Sequence, residues 1–583
     1  MVTLVDSKKF KGETQKRGDE KAVVTRKYVD ELVKRFRDKI KEVKQVAYNQ
    51  WIVVTDRENL PKLVLWWLNE SNFPETQLST MVATDERPLN GKFSVTYWLS
   101  ANAKAGDCYV GIRAYIPPED PWIISVAKEH PGANWYEREA MEMIGIDPKG
   151  HPDPRRLVLP DDWPSCVYPL RKDFTYYDSP HGEKFYPYRK TKDKEVVAPY
   201  GPYHVALEEA AHFRLYVKGE TIVDCDYRGF YAHRGIEKIC EGRLTYDQIC
   251  FIAERICGIC GFTHSTAYCQ AVENAAGIEV PERAEYIRTI MLEIERLHSH
   301  LLNFGIACHL VGFDYGFMHS WRIREDVMWL AERLTGNRKT YGMNLVGGVR
   351  RDLLEYRKEM ILQVIKKIEK EFRELVDKAL STRTFVKRLE GVGILPYKVA
   401  KDWSVDGPLG RGSGRDFDVR RDHPYAAYKY LDFKVPVYKE GDVLARAMVR
   451  IDEVFEIIWI LEQAIDQLPG GDILAEYKEI PPYCEGIGTT EAPRGENVHY
   501  VMTGPNNKVY RYRARAATYN NLPAVPDMMR GYTIADAPLI VASIDPCYSC
   551  TERVQIVDVE SGKVRVLTEE EFNRLSIKAS RRV

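Results

Sequence analysis

Arg255-Ile256-Cys257-Gly258-Ile259-Cys260-Gly261-Phe262-Thr263-His264, near the middle of the chain, has a counterpart near its far end, Asp545-Pro546-Cys547-Tyr548-Ser549-Cys550. Two thiols separated by two residues converge on one point, so each pair can chelate a metal centre and the two together can make a four-thiolate site. Structural zinc is the plain alternative. Zinc ribbons, however, place their pairs about 15 to 20 residues apart, and here nearly a whole domain intervenes. A disulfide reading is weaker in a reducing compartment. The other eight cysteines, Cys108, Cys166, Cys225, Cys240, Cys250, Cys269, Cys308 and Cys484, are mostly isolated in apolar sequence and read as small buried hydrophobes.

Outward from the pairs, the 583 residues exceed one ordinary core, so two or more domains are expected. With 44% hydrophobic and 29% charged residues the chain carries enough apolar surface to fold. Its 84 basic and 85 acidic side chains leave a formal charge of -1, which disfavours nucleic-acid binding. No run of about eighteen apolar residues predicts a membrane span. Met1 to Lys21 lacks the apolar region of a secretory signal, so a cytoplasmic location is expected.

From Arg26 to Val43, apolar residues at 29, 32, 33, 36, 40 and 43 predict one amphipathic helix. Strand-like runs at Val46 to Val54, Phe93 to Leu99 and Cys108 to Ile116, with an apolar helical stretch near Leu60 to Leu68, predict an α+β domain over residues 1–178. Pro- and Gly-rich turns and a polar Tyr-rich stretch follow, and residues 179–198 are assigned to a linker. Beyond it, helical patterns run from Tyr246 to Ala276, Arg283 to Cys308, Ile323 to Thr335, Asp352 to Leu380 and Val443 to Gln467. A Gly/Arg-rich loop at Gly407 to Arg421 and strands and turns at Gly486 to Asn521 complete a mainly α-helical domain over residues 199–553. Residues 554–583 form a charged tail.

The two cysteine motifs together resemble the N- and C-terminal metal-binding motifs of [NiFe] hydrogenase large subunits. That resemblance implies nickel held by four thiolates, two of them bridging to an iron that carries CO and cyanide. By position, Cys257 and Cys547 would be the terminal nickel ligands, and Cys260 and Cys550 the bridges. Thiolates suit nickel because they donate charge and can accept a proton. Glu491-Ala492-Pro493-Arg494-Gly495 resembles the family segment whose arginine hangs over the open metal site and polarises or orients a bound ligand there. Without the neighbouring motif, a lone Arg in such a turn would read as solvated surface. Asp545 would position that arginine. Glu209, in the context Gly201-Pro202-Tyr203-His204 to Arg214, is similar to the family's proton-relay glutamate, with Glu208 as runner-up and a solvated acidic pair as the bland reading. Glu237, in Arg234-Gly235-Ile236-Glu237, matches a further segment near the site.

The N-terminal domain resembles the 30-kDa-type subunit of respiratory complex I, through Glu137-Arg138-Glu139, Gly145-Ile146, Gly150-His151-Pro152-Asp153, Arg155-Arg156 and Pro169-Leu170-Arg171-Lys172-Asp173-Phe174. The second domain shares features with the 49-kDa subunit, among them Arg411-Gly412-Ser413-Gly414, Asp418, Arg420 and Pro424-Tyr425. Such a fusion resembles the large subunit of group 4, energy-converting hydrogenases of the formate-hydrogenlyase type (hydrogenase-3/4). The alternative is a complex-I-type quinone-site subunit without a metal centre; complex I lacks the cysteine pairs, so the pairs decide between the two. The resemblance implies reversible reduction of protons to H2, coupled to formate or CO oxidation or to ferredoxin. The chain has no cysteine set for a [4Fe-4S] cluster, so that cluster is expected in a small-subunit partner. Ferredoxin-like electron-transfer subunits, integral-membrane subunits, a nickel chaperone and a maturation endopeptidase cutting after Arg553 are implied as well, with the chain peripheral on the inner face of the membrane. Two positions depart from uptake hydrogenases: Ser299 lies between His298 and His300 where they carry Asp, and Arg553 stands where they end in His.

Overall fold

The computed structural model describes residues 3–5 (backbone only), 27–102, 108–161, 163–174, 189–204, 207, 209–230, 233–477 and 479–548. Cys550, Glu208, Arg553 and the tail from 554 lie outside the described residues.

One mixed sheet contains β1 (Thr3–Val5), β2 (Ile40–Ala47), β3 (Gln50–Thr55), β4 (Gln77–Glu86), β5 (Lys92–Ser100) and β6 (Tyr109–Ile116), in spatial order β1-β2-β3-β6-β5-β4. Helix α1 (27–35) buries Val29 and Leu32 against it. The helix expected through Val43 stops short: Ile40 and Val43 belong to β2, where Val43 pairs with Val53. Cross-strand partners overrode a local pattern compatible with helix. The run Val46 to Val54 is likewise a hairpin turning at Tyr48-Asn49, with Ala47 opposite Gln50. Helix α2 (Asn134–Met143) and the short parallel pair β7 (Trp122–Ile124) and β8 (Asp147–Lys149) complete this unit.

An antiparallel sheet of β9 (Val196–Tyr200), β10 (His212–Lys218) and β11 (Thr221–Arg228) leads into the helical unit. There α3 (Tyr246–Ala253) and α4 (Gly261–Ala276) divide what reads in sequence as one helical stretch. The long helices α5 (Glu282–Leu310), α6 (Asp314–Thr335), α7 (Glu355–Ser381) and α9 (Val443–Asp466) share a core that includes Ile290, Leu297, Ile323, Ile365, Val454 and Ile457. Between α7 and α9, α8 (Gly407–Gly412) is a buried turn of helix within the Gly/Arg-rich segment. Strands β12 (Asn344–Leu345) and β13 (Gly348–Val349) form a small ladder. Strands β14 (Glu485–Ala492), β15 (Gly495–Thr503) and β16 (Val509–Arg515) form a three-stranded antiparallel sheet, and α10 (Ala537–Ser543) precedes the second cysteine motif. Among the described residues no helix is long and apolar enough to cross a membrane.

The two units are built into one another. Val46, Ile52, Val82 and Trp98 of the first sheet share an apolar cluster with Ile487, Val498, Tyr500 and Met502 of the β14–β15 hairpin. Edge strand β4 is buried along its whole length, although its sequence is half polar. Its exposed edge would be a row of unpaired backbone groups. Arginines from β16 cover it instead: Arg515 Nε donates to Ser79 O at 2.6 Å and Arg511 Nε to Ala83 O at 3.1 Å. Gln50 uses its side-chain amide as a strand would use its backbone, donating to Ile487 O and accepting from Ile487 N, both at 2.8 Å.

Candidate metal centre

The break between α3 and α4 is the first cysteine motif, and its conformation is imposed from outside. A helix start leaves several N–H groups without partners. Glu295 of α5 supplies them, accepting from Phe262 N and Thr263 N at 2.8 Å and from Thr263 Oγ1 at 2.6 Å. Tyr341 Oη donates to Cys257 O at 3.0 Å, and His298 Nε2 to Ile259 O at 3.1 Å. Gly261 is required sterically, since a Cβ there would come within 2.3 Å of the Tyr341 ring and 2.5 Å of Glu254 O. Within this clamp Cys257 Sγ accepts from Ile259 N at 3.3 Å and Cys260 N at 3.4 Å.

The second motif arrives from α10. Asp545 adopts a left-handed backbone, φ 56°, a conformation Asp tolerates better than most residues. Cys547 N donates to Thr518 Oγ1 at 3.2 Å. Cys547 Sγ then lies 2.9 Å from Cys257 Sγ, across 290 residues of sequence. That separation exceeds a disulfide of about 2.05 Å and can be spanned by two metal–sulfur bonds of about 2.3 Å. Cys257, Cys260 and Cys547, each at most 3% exposed, form one buried cluster with Ala492.

Ala492 closes the β14–β15 hairpin opposite Gly495, so Pro493 and Arg494 are its two-residue turn beside the sulfurs. Three sets of contacts hold that tip. Arg296 of α5 donates to Ala492 O at 3.2 Å and to Glu491 O. Glu491 accepts from Arg411 at 2.8 Å and from Val419 N at 3.0 Å. Gly407 packs directly on the Arg494 backbone: its φ is 63°, and a Cβ would meet Arg494 O at 2.2 Å. The Arg494 guanidinium, 2% exposed, donates through Nε to Asp545 O at 2.5 Å and through Nη2 to Asp545 Oδ1 at 2.9 Å. Burial works against its charge, but Asp545 and then the three cysteine sulfurs outweigh it and raise its pKa well above the ordinary arginine value. Ser299 Oγ reaches Arg494 Nη1 at 3.5 Å, so the residue in place of the expected Asp retains only a long, neutral contact.

The structure therefore gathers Cys257, Cys260, Cys547, Arg494 and Asp545 in one buried site. Glu209 lies on the loop before β10 and is half-buried, unlike the cysteines. Glu237 binds Arg511 at 2.8 Å, Arg513 at 3.0 Å and Ala514 N at 3.2 Å, an anchor for β16. Sequence reasoning overlooked Glu295, Arg296, Tyr341 and Lys339, whose pKa is pulled down to about 8 by burial and by Arg324. It also passed over Arg446, Arg450 and Glu453. Their signal was present: charged residues recur on the apolar stripe of α9 where a core helix would carry only hydrophobes.

Donor type and burial fit a thiolate-bound metal. Among the described residues no group of three His, Cys, Asp or Glu side chains is arranged to hold an ion by itself; Cys257, Cys260 and Cys547 share the buried cluster, and Cys550 lies outside the described residues. Residues 234–321 match the family described as nickel-dependent hydrogenase. Residues 53–180 match the 30 Kd subunit, and 311–485 and 478–553 the 49 Kd subunit, of respiratory-chain NADH dehydrogenase. Formate hydrogenlyase subunit 5 of Escherichia coli (strain K12) is 48% identical over 506 residues, 86% of this chain and 89% of its own. The chain belongs to the complex-I-related [NiFe] hydrogenase large subunits. Hydrogenase-4 component G of the same organism is 45% identical to this hydrogenase subunit, with the same shares covered. A chain of the membrane-bound sulfane sulfur reductase, an archaeal respiratory membrane complex, superposes with a TM-score of 0.59 at 30% identity, over 63% of this subunit and 100% of that chain. This subunit thus combines a complex I 30-kDa-like α+β domain with a helix-dominated hydrogenase and 49-kDa-like domain, and it is an oxidoreductase.

Proposed function

We propose that Cys257, Cys260, Cys547 and Cys550 would hold the nickel–iron centre of this hydrogenase, Cys257 and Cys547 in the terminal and Cys260 and Cys550 in the bridging roles that the family resemblance implies, with CO and cyanide on the iron. The observation that carries the reading is the 2.9 Å approach of Cys257 and Cys547 in a buried pocket. When bound, the centre supplies the redox change and Lewis acidity that interconvert H2 with protons and electrons. Arg494, held from two sides by Asp545, directs a desolvated cation at the pocket and orients the small molecule that enters. Glu209 receives the proton that leaves the thiolate side, with Glu208 as its alternate.

Electrons come from a [4Fe-4S] cluster in an iron–sulfur small subunit, fed by ferredoxin-like subunits from formate, CO or reduced ferredoxin. Integral-membrane subunits hold the assembly at the inner face of the membrane. A nickel chaperone loads the site, and an endopeptidase then removes residues 554–583 after Arg553.

Nickel analysis and infrared spectroscopy of the purified complex test this. One nickel per chain, with bands from iron-bound CO and cyanide, is expected; zinc, or no metal with an intact fold, would overturn it. Cys547→Ser should abolish H2 evolution and nickel retention while leaving the α+β domain folded by circular dichroism.

A further inference from the structure

Ser299 is fully buried on α5, within the stretch of that helix that does most to hold the site. The polar residues around it are committed to other tasks. Glu295 holds the first cysteine motif and Arg296 the hairpin tip, while His298 meets the Ile259 carbonyl at 3.1 Å and His300 the Glu453 carboxylate at 2.6 Å. Ser299 is the one of these residues whose side chain meets the Arg494 guanidinium, its Oγ lying 3.5 Å from Nη1. The two sides of that guanidinium are used unequally. The edge made by Nε and Nη2 is closed on Asp545, at 2.5 Å to its carbonyl and 2.9 Å to its carboxylate. Nη1 has instead a neutral hydroxyl, beyond the usual N–H···O range of about 2.7–3.2 Å. A carboxylate in place of the hydroxyl would draw Nη1 into a charge-assisted bond, shorter and about twice as strong. It would also change the charge of this corner of the pocket, where the Arg494 cation and the Asp545 anion now balance.

We propose that Ser299 is a positioning residue of the hydrogenase site: as a neutral and distant partner it steadies the Nη1 arm of Arg494 yet leaves it available to the small molecule that enters, and it leaves the arginine balanced by one carboxylate. A donor held in place but not satisfied can stabilise charge that develops on a bound molecule. A donor already closed on an acid cannot, which is why the side chain at 299 matters through its charge as well as its reach. The inference rests on the proposed function for what the pocket holds, but its own content is the neutral partner of Nη1.

Variants of the assembled complex separate charge from contact. Ser299→Asp should keep its nickel and lower kcat about tenfold, and a map of that variant should show Nη1 drawn to about 2.7–2.9 Å from the new carboxylate. Its infrared bands from CO and cyanide should move to lower wavenumber, because negative charge beside the metals increases back-donation. Ser299→Asn, of the same length but uncharged, and Ser299→Ala should each lower kcat about threefold, the scale of one neutral hydrogen bond, with the bands at their wild-type positions. Unmoved bands in Ser299→Asp, or equal losses of kcat in all of the variants, would show a residue that merely packs and would overturn the proposal. If Ser299→Asp fails to load nickel, the exchange variant Ser299→Asp/Asp545→Ser decides, since it moves the single carboxylate to the other side of Arg494. It should retain more nickel than Asp545→Ser alone; no gain over that variant would overturn the proposal. Absence of nickel from the wild-type complex defeats the metal-centre reading instead, so the two failures are distinguishable.

Discussion

Arg494 shows how much one side chain depends on its planar geometry. Its Nε and Nη2 meet the carbonyl and the carboxylate of a single residue, Asp545. A lysine is a point charge on a flexible stem and cannot reproduce that fork. Arg494→Lys should therefore keep nickel and fold but lower kcat about 10²- to 10³-fold, the scale seen when one preorganised donor is removed, as read by H2 evolution beside metal analysis. At this scale the sequence was informative for chemistry and mute on support. Cys257, Cys547, Arg494 and Asp545 stand in motifs whose residue types announce their use. Glu295 and Tyr341, which hold the first motif in shape, are ordinary residues on a helix and a loop, and only proximity gives them a role.

The decisive elements are a broken helix and a hairpin. Tyr246 to Ala276 is apolar at helical spacing throughout, yet the chain leaves the helix between Ala253 and Gly261 because Glu295 caps a new start there. Periodicity cannot register a cap supplied from another helix. The β14–β15 hairpin carries Arg494 at its tip and is seated by Gly407, whose lack of a Cβ admits the Arg494 carbonyl. Gly407→Ala combines a positive φ with a backbone clash, so it should cost roughly 1–3 kcal/mol and displace the tip. Thermal unfolding should show the loss, and kcat should fall more than stability alone explains. A variant indistinguishable from wild type in both would mean that the close approach has little weight.

On the scale of the whole molecule, the junction between the units is as buried as any core. Arg113 and Glu485 form a bidentate pair across it, and Tyr500 Oη donates to the same carboxylate at 2.7 Å. Removing one partner leaves the other charge buried and unpaired, a cost of about 3–5 kcal/mol. Arg113→Met should thus lower the denaturant midpoint of both units together. A loss confined to the first unit would indicate that they unfold separately. His130, whose Nε2 meets Ser404 Oγ across the same junction at 3.0 Å, is held neutral by burial, its pKa lowered to about 4. Above its ordinary value near 6.5 the folded and unfolded forms are both neutral and its contribution is complete. As pH falls from about 6.5 to 4 only the unfolded form gains the proton, and stability is lost, roughly 3 kcal/mol over the window. Unfolding temperature measured from pH 7 to 4 should fall, and His130→Asn should flatten that slope by the equivalent of one proton.

What the sequence alone determined was the chemistry: four cysteines in two spaced pairs, an arginine in a Pro/Gly turn, and an α+β region ahead of a helical one follow from residue type and local periodicity. What only the tertiary structure decided was placement. The Cys257–Cys547 contact spans 290 residues, the outer edge of β4 is covered by arginines of another unit, and Ile40 and Val43 leave the helical pattern for cross-strand pairing in β2. Each outcome depends on partners distant in the chain, and the free energy of such contacts is not encoded in any local window.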